Sequence, residues 1–181
     1  MNIMTTQRPL LKTCVALALG ACLASGAAQA STEIEMHRVS AEGVGESVGT
    51  ITAEDTQSGL LLTPKLSGLK AGVHGFHLHA NDSCAPAEKD GKMVAAASAG
   101  GHFDPDSTET HQGPYGEGHL GDLPALTVNA DGSVDLPVLA PRLEESDLDG
   151  HALMIHSGGD NYTDTPTLGG GGAREACGVV K

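Results

Sequence analysis

Basic residues are scarce in this chain: ten lysines and arginines stand against 23 aspartates and glutamates. Arg8 and Lys12 fall in the first thirty residues, where no acid occurs, so the remainder carries 8 basic against 23 acidic groups, a net −15. Such a balance repels phosphate backbones and argues against a nucleic-acid partner. Its plainest role is solubility. No apolar run reaches the roughly 20 residues that span a bilayer. Neither a Pro/Ser-rich linker nor an internal repeat divides residues 31–181, which have the size of one ordinary domain.

Cysteine is equally sparse, with four in all, and two of these belong to the leader. Arg8 and Lys12 open that leader, Val15–Leu19 begins a short apolar run, and Ala28-Gln29-Ala30 reads as a cleavage site before Ser31. Residues 1–30 are therefore expected to be a signal peptide that exports the protein. Leu19-Gly20-Ala21-Cys22 also fits a bacterial lipoprotein signal, with Cys22 as an acylated first residue. Export follows on either reading. In an oxidising compartment Cys84 and Cys177 most simply form one disulfide, the alternative being two separate buried thiols. A bridge closing a loop of roughly ninety residues contributes about 4–5 kcal/mol in the chain-entropy model.

Strand signals outnumber helix signals. Thr32–Val39 alternates apolar and polar residues over its middle, as a half-buried strand does. Val48–Ala53, Gly59–Pro64 and Val73–His79 follow. Leu126–Val128 and Val134–Leu136 flank a turn-forming Asn129–Ser133 and predict a hairpin. Ala152–His156 and Ala176–Val180 complete the strands, and a short helix is predicted around Arg142–Leu148. Residues 81–123 and 157–174 are long, rich in Gly, Pro, Asp and His, and without strand character. Loops of that length are usually functional or disordered, and these carry most of the candidate ligands. Many short strands with long loops point to a closed barrel or sandwich of Greek-key type.

Histidine supplies the chemistry. His77 and His79 stand two apart on a strand, so both rings leave one face, and His156 ends another strand. His102, His111, His119 and Asp122 follow one another in the first long loop. Three imidazoles and a carboxylate can wrap a tetrahedral zinc, and a set of four protein ligands implies a structural ion. Imidazole also suits copper. His102 lies between the two clusters, and its two ring nitrogens could join two metals.

Gly75-Phe76-His77-Leu78-His79, Gly100-Gly101-His102-Phe103-Asp104-Pro105, Gly118-His119-Leu120-Gly121-Asp122 and the run Gly169–Gly178 with its Arg174 and Cys177 resemble the copper/zinc superoxide dismutases. The resemblance covers essentially all of residues 31–181. The spacing of His102, His111 and His119, with Gly158-Gly159-Asp160-Asn161 and the leader, is similar to the bacterial periplasmic branch. It implies an all-β, eight-stranded Greek-key β-barrel of immunoglobulin-like sandwich architecture with two long functional loops. It implies copper held by His77, His79, His102 and His156, and zinc by His102, His111, His119 and Asp122. Asp160 then links a copper-side and a zinc-side histidine, fixing ring orientation. Cys84 and Cys177 match the family disulfide, and Arg174 the cation beside the open copper position.

The activity implied is dismutation of superoxide in two strokes, with copper cycling between oxidation states and His102 releasing copper to carry a proton. Arg174 would draw the anion in, with Lys89 and Lys92 as further candidates for that field, although solvated surface is the plainer reading of both lysines. His74 should be structural, and His37 and His151 have no partner motif. A copper-carrier module would not need the complete zinc set, Asp160 and Arg174 together. Zinc-dependent hydrolysis fails because protein fills all four zinc positions. A homodimer and an accessory ligand such as haem stay open.

Overall fold

In the computed structural model the chain is described over residues 31–180, together with Met1. The signal peptide expected over residues 1–30, with Cys14 and Cys22, otherwise lies outside the described residues.

Alternation builds the first strands. In β1 (Ser31–Ser40) Ile34 and Met36 turn inward while Glu33 and Glu35 face solvent. In β2 (Gly43–Thr56) Ile51 and Ala53 do the same, and in β3 (Gly59–Leu66) Leu60, Leu62 and Leu66. The three pair antiparallel in chain order, with Ile34 opposite Ile51 and Ala53 opposite Leu62. Then come β4 (Gly72–His74) and β5 (Phe76–His79), parted at Gly75, and a small hairpin of β6 (Ala87–Lys89) and β7 (Lys92–Val94). β8 (Leu126–Val128), β9 (Val138–Ala140), β10 (Ala152–His156) and β11 (Arg174–Val179) complete the described strands.

The main sheet runs β5-β10-β11-β1-β2-β3-β9, and β4 pairs with β8. Strands distant in sequence thus become antiparallel neighbours, β5 with β10 and β1 with β11. This is the Greek-key connectivity expected for an all-β barrel. Its interior holds Ile34, Ile51, Leu60, Leu62, Phe76, Leu78 and Leu153, all at most 1% exposed. Each such side chain contributes roughly 1.5–3 kcal/mol through burial. A second, smaller cluster packs Ala96, Ala99, Ala152 and Met154 around Cys84 and Cys177. Those two cysteines are disulfide-bonded, their Cα atoms 5.8 Å apart.

Three local expectations need correction. The hairpin around Asn129–Ser133 turns as predicted, closed by a 2.8 Å bond from the Asn129 N–H to the Ser133 carbonyl. Its two arms nevertheless part: β8 pairs with β4, while Val134 bridges Leu66 and Leu136 stays exposed. Turn chemistry is local, but each arm is drawn to a different partner in the barrel. β9 escaped notice because it is a short edge strand, paired only with Leu60–Leu62. Residues 81–123 include the β6–β7 hairpin and a 3₁₀ turn, Ala97–Ala99. The helix predicted near Arg142–Leu148 is a 3₁₀ turn over Glu145–Leu148, capped reciprocally by Glu144 and Asp147. Among the described residues no helix is long and apolar enough to cross a membrane.

Candidate metal centre

The edge of the main sheet carries the first cluster. β5 lies against β10 with His77 opposite Met154 and His79 opposite Ala152, and His156 closes β10. The long loop after β7 then folds back on β5, forming backbone bridges between His79 and His102 and between His77 and Asp122. Gly121 makes this approach feasible. Its carbonyl accepts from the Leu78 N–H at 2.9 Å, and its N–H donates to the Phe103 carbonyl at 2.8 Å. A Cβ there would sit 2.2 Å from the Leu78 carbonyl oxygen, so any other residue would push the loop, and its ligands, away.

The sequence-predicted ligands converge into two groups. His77, His79, His102 and His156 each offer a nitrogen, and His102, His111, His119 and Asp122 each offer one donor atom. Within each group all donors lie within 4.8 Å of one another. One ring, His102, stands in both. All seven residues are buried, none more than 8% exposed.

Hydrogen bonds decide which nitrogen each ring has to give. His77 Nε2 donates to Asp160 Oδ2 at 2.7 Å, His79 Nδ1 to the Gly100 carbonyl at 3.0 Å and His156 Nδ1 to the Gly172 carbonyl at 3.3 Å. The remaining atoms, His77 Nδ1, His79 Nε2, His156 Nε2 and His102 Nε2, are buried with no hydrogen-bond partner. Four such orphans in one place are costly unless a metal coordinates them. On the other side Asp122 Oδ1 lies 2.9 Å from His102 Nδ1, 2.9 Å from His111 Nδ1 and 3.2 Å from His119 Nδ1. The second oxygen, Oδ2, accepts the N–H groups of Gln112 and Gly113. The residues therefore fit a nitrogen-only site suited to copper beside a three-imidazole, one-carboxylate site suited to zinc.

Asp160 joins the two sides, accepting from His77 Nε2 at 2.7 Å and from His111 Nε2 at 2.8 Å, with its own carboxylate fully buried. Gly169 lets it do so: at φ +67°, an added Cβ would collide with Asp160 Oδ1 and His111 Nε2. Burial holds His77 down to about 3 against the pull of Asp160, and holds His156 at about 4. Burial likewise pushes His79 and His102 below the ordinary imidazole value. These rings are therefore neutral at neutral pH, the form that coordinates a metal. Burial alone would lower His111 as well, but Asp122 and Asp160 outweigh it and raise the ring to about 9. Burial would raise both of those carboxyls, yet their histidine partners keep them below the ordinary carboxylate range.

Arg174 stands at the rim of the first group. Its guanidinium donates to the carbonyls of Ala96 and Gly100 and lies 3.4 Å from His79 Nδ1. The other histidines stay outside both groups. His74 is buried between the carbonyls of His156, at 2.6 Å, and Lys70, at 2.7 Å. His37 bonds the Gly45 carbonyl, and His151 bonds the Ala80 carbonyl and packs on Phe103. Lys89 and Lys92 face each other on the exposed β6–β7 hairpin. Sequence reasoning missed Tyr162 and Asp164. The Tyr162 hydroxyl accepts from the Ala125 N–H, and Asp164 accepts from the His111 N–H. No periodicity marks these loop residues, and only the neighbouring Asp160 could have drawn attention to them.

Residues 47–180 match the family described as copper/zinc superoxide dismutase. The copper-zinc superoxide dismutase 2 of Salmonella typhimurium is 56% identical over 170 residues, covering 92% of this chain and 98% of that protein. The structure of the Cu/Zn superoxide dismutase from Brucella abortus aligns with a TM-score of 0.82 at 50% identity, over 84% of this chain and all of the other. The solution structure of the monomeric copper, zinc enzyme from Salmonella enterica aligns at 0.76, with 57% identity and the same coverage.

Proposed function

The chain belongs to the copper/zinc superoxide dismutase family, and we propose that it binds copper through His77, His79, His102 and His156, and zinc through His102, His111, His119 and Asp122. It is a superoxide dismutase with copper and zinc as cofactors. Two superoxide anions and two protons become dioxygen and hydrogen peroxide. The observation that carries the ligand assignment is the pair of four-donor groups meeting in one ring, His102.

Copper, when bound, supplies the alternating one-electron steps that zinc, with no accessible redox change, cannot. The protein supplies placement and charge. His77, His79 and His156 present neutral nitrogens in fixed tautomers, so nothing needs to reorient. His102 Nε2 would hold copper or, when not bound to it, a proton taken from solvent for the product, while its Nδ1 stays 2.9 Å from Asp122 Oδ1. Asp160 keeps the two halves in register. After reconstitution, one copper and one zinc per chain should accompany dismutase activity. A fully loaded but inactive protein would move the reading to a copper carrier.

Arg174 is assigned to dock the substrate. A protein whose residues 31–181 carry −15 repels an anion, so fast turnover requires a local positive field. A guanidinium stays charged and offers forked donors to a two-oxygen anion. Steering of this kind raises association rates by about 10–10³-fold and fades as salt screens it. Arg174→Ile should slow the bimolecular reaction at low salt about tenfold or more and flatten its salt dependence, with metal content unchanged. A full rate with the full salt slope would remove Arg174 from this role.

The catalytic domain is placed at residues 31–181, exported to the periplasm with residues 1–30 removed as a signal peptide. Cleavage before Ser31 is preferred to acylation at Cys22, and a monomer, like the Salmonella enterica relative, to a homodimer. Intact mass and sedimentation velocity of the purified protein read both.

A further inference from the structure

We propose that Arg142 is a positioning residue for the zinc side of the centre, a clamp that holds the loop carrying His119 and Asp122 in its ligating shape. This rests on the zinc-ligand reading above and adds a residue that touches neither metal nor substrate. Arg142 follows Pro141 in the turn after β9, between Ala140 and Leu143, which are 2% and 1% exposed and seated in the core. Its base is therefore fixed by the barrel, not by the loop it holds.

From that base the guanidinium reaches four carbonyls of one short segment. Nε donates to Pro114 at 3.2 Å, NH1 to Gly118 at 3.0 Å, and NH2 to Gly113 at 3.3 Å and His119 at 2.5 Å. Among the described residues no ion pair includes Arg142. Its donors go to backbone oxygen rather than to a carboxylate.

The opposite side of the segment faces Asp122, whose Oδ2 accepts the N–H groups of Gln112 and Gly113. Gly113 is thus gripped from both sides, by its carbonyl from Arg142 and by its N–H from Asp122. A loop with glycines at 113, 116, 118 and 121 has much backbone freedom to lose. Left free, it would surrender that entropy only when zinc arrived, and zinc would bind more weakly. A clamp that orders the loop beforehand transfers the cost to folding. The planar five-donor fork suits this task, whereas an ammonium, with three donors at one point, cannot span four carbonyls.

The test compares the full-length mature protein with Arg142→Met and Arg142→Lys. Zinc affinity is read by chelator competition, copper content by metal analysis, and thermal midpoints with and without zinc. Arg142→Met should weaken zinc about 10–100-fold, the usual range for a residue supporting a ligand, and shrink the rise in midpoint that zinc produces. Arg142→Lys should fall between, and copper content should hold in both. Unchanged zinc affinity in the two variants overturns the proposal, even if the zinc-free midpoint drops, because the residue is then only a fold support. A wild-type protein that binds no zinc would instead refute the ligand assignment.

Discussion

Substituting His102→Ala should disturb copper and zinc together and reduce dismutation by more than about a hundredfold. Changes to residues that merely support a ligand cost about 10–100-fold in affinity or activity, and His102 is a donor to both groups at once. Its Nε2 sits among the copper-side nitrogens, and its Nδ1 lies 2.9 Å from Asp122 Oδ1. Removal of the ring takes one donor from each set and leaves His77, stacked on it at a centroid distance of 3.9 Å, without its packing partner. His111→Ala is the control. It should chiefly weaken zinc, although loss of its 2.8 Å bond to Asp160 also loosens the partner that orients His77. Metal content and activity of both variants, measured side by side, decide the matter. Equal losses of zinc alone in both would refute a shared ring.

Breaking the disulfide should have the largest effect on stability. Cys84 and Cys177 are 93 residues apart, and closing a loop of that length contributes about 4–5 kcal/mol in the chain-entropy model. Domains of this size have roughly 5–15 kcal/mol in total, so the metal-free protein could lose a third or more of its stability. Cys84→Ser with Cys177→Ser should therefore lower the denaturant midpoint sharply, and reduction of the wild type should reproduce the shift. The same change reaches the substrate side. Ala96 packs in the cluster around the bridge, and its carbonyl accepts from Arg174, so the reduced protein should also lose rate at low salt. An unchanged midpoint, or two thiols titrating in the non-reduced native protein, would sink this expectation.

Much of the site was legible because ligand chemistry belongs to residue types. His77 and His79 share a strand face by parity, and the His102–Asp122 segment carries three imidazoles and a carboxylate, a donor set that suits a structural zinc. Asp160 and Arg174 were legible only through family resemblance, since an isolated acid or arginine in a Gly-rich loop has no local signature. Arg142, Tyr162 and Asp164 carried no signal of their own. Each acts through backbone groups distant in sequence, and no pattern of side chains announces a carbonyl that needs a donor. The fold divided in the same way. β1, β3 and β10 followed from their hydrophobic patterns, whereas the arms of the Asn129–Ser133 turn took partners, β4 and Leu66, that their own sequence could not specify.

By itself, the sequence determined an all-β domain, a set of histidines and one aspartate with metal-ligand chemistry, a single cysteine pair after residue 30 and an acidic balance from residue 31 onward. These depend on side-chain chemistry and strand parity, which are local. Only the tertiary structure decided which nitrogen each histidine offers and that one carboxylate, Asp160, bridges His77 and His111. It also decided that Arg142 grips the zinc-side loop. Tautomers are set by hydrogen-bond partners on other strands and loops, and a clamp exists only where folding brings four carbonyls to one guanidinium. Contacts of that kind depend on distance in space, which a linear chain does not record.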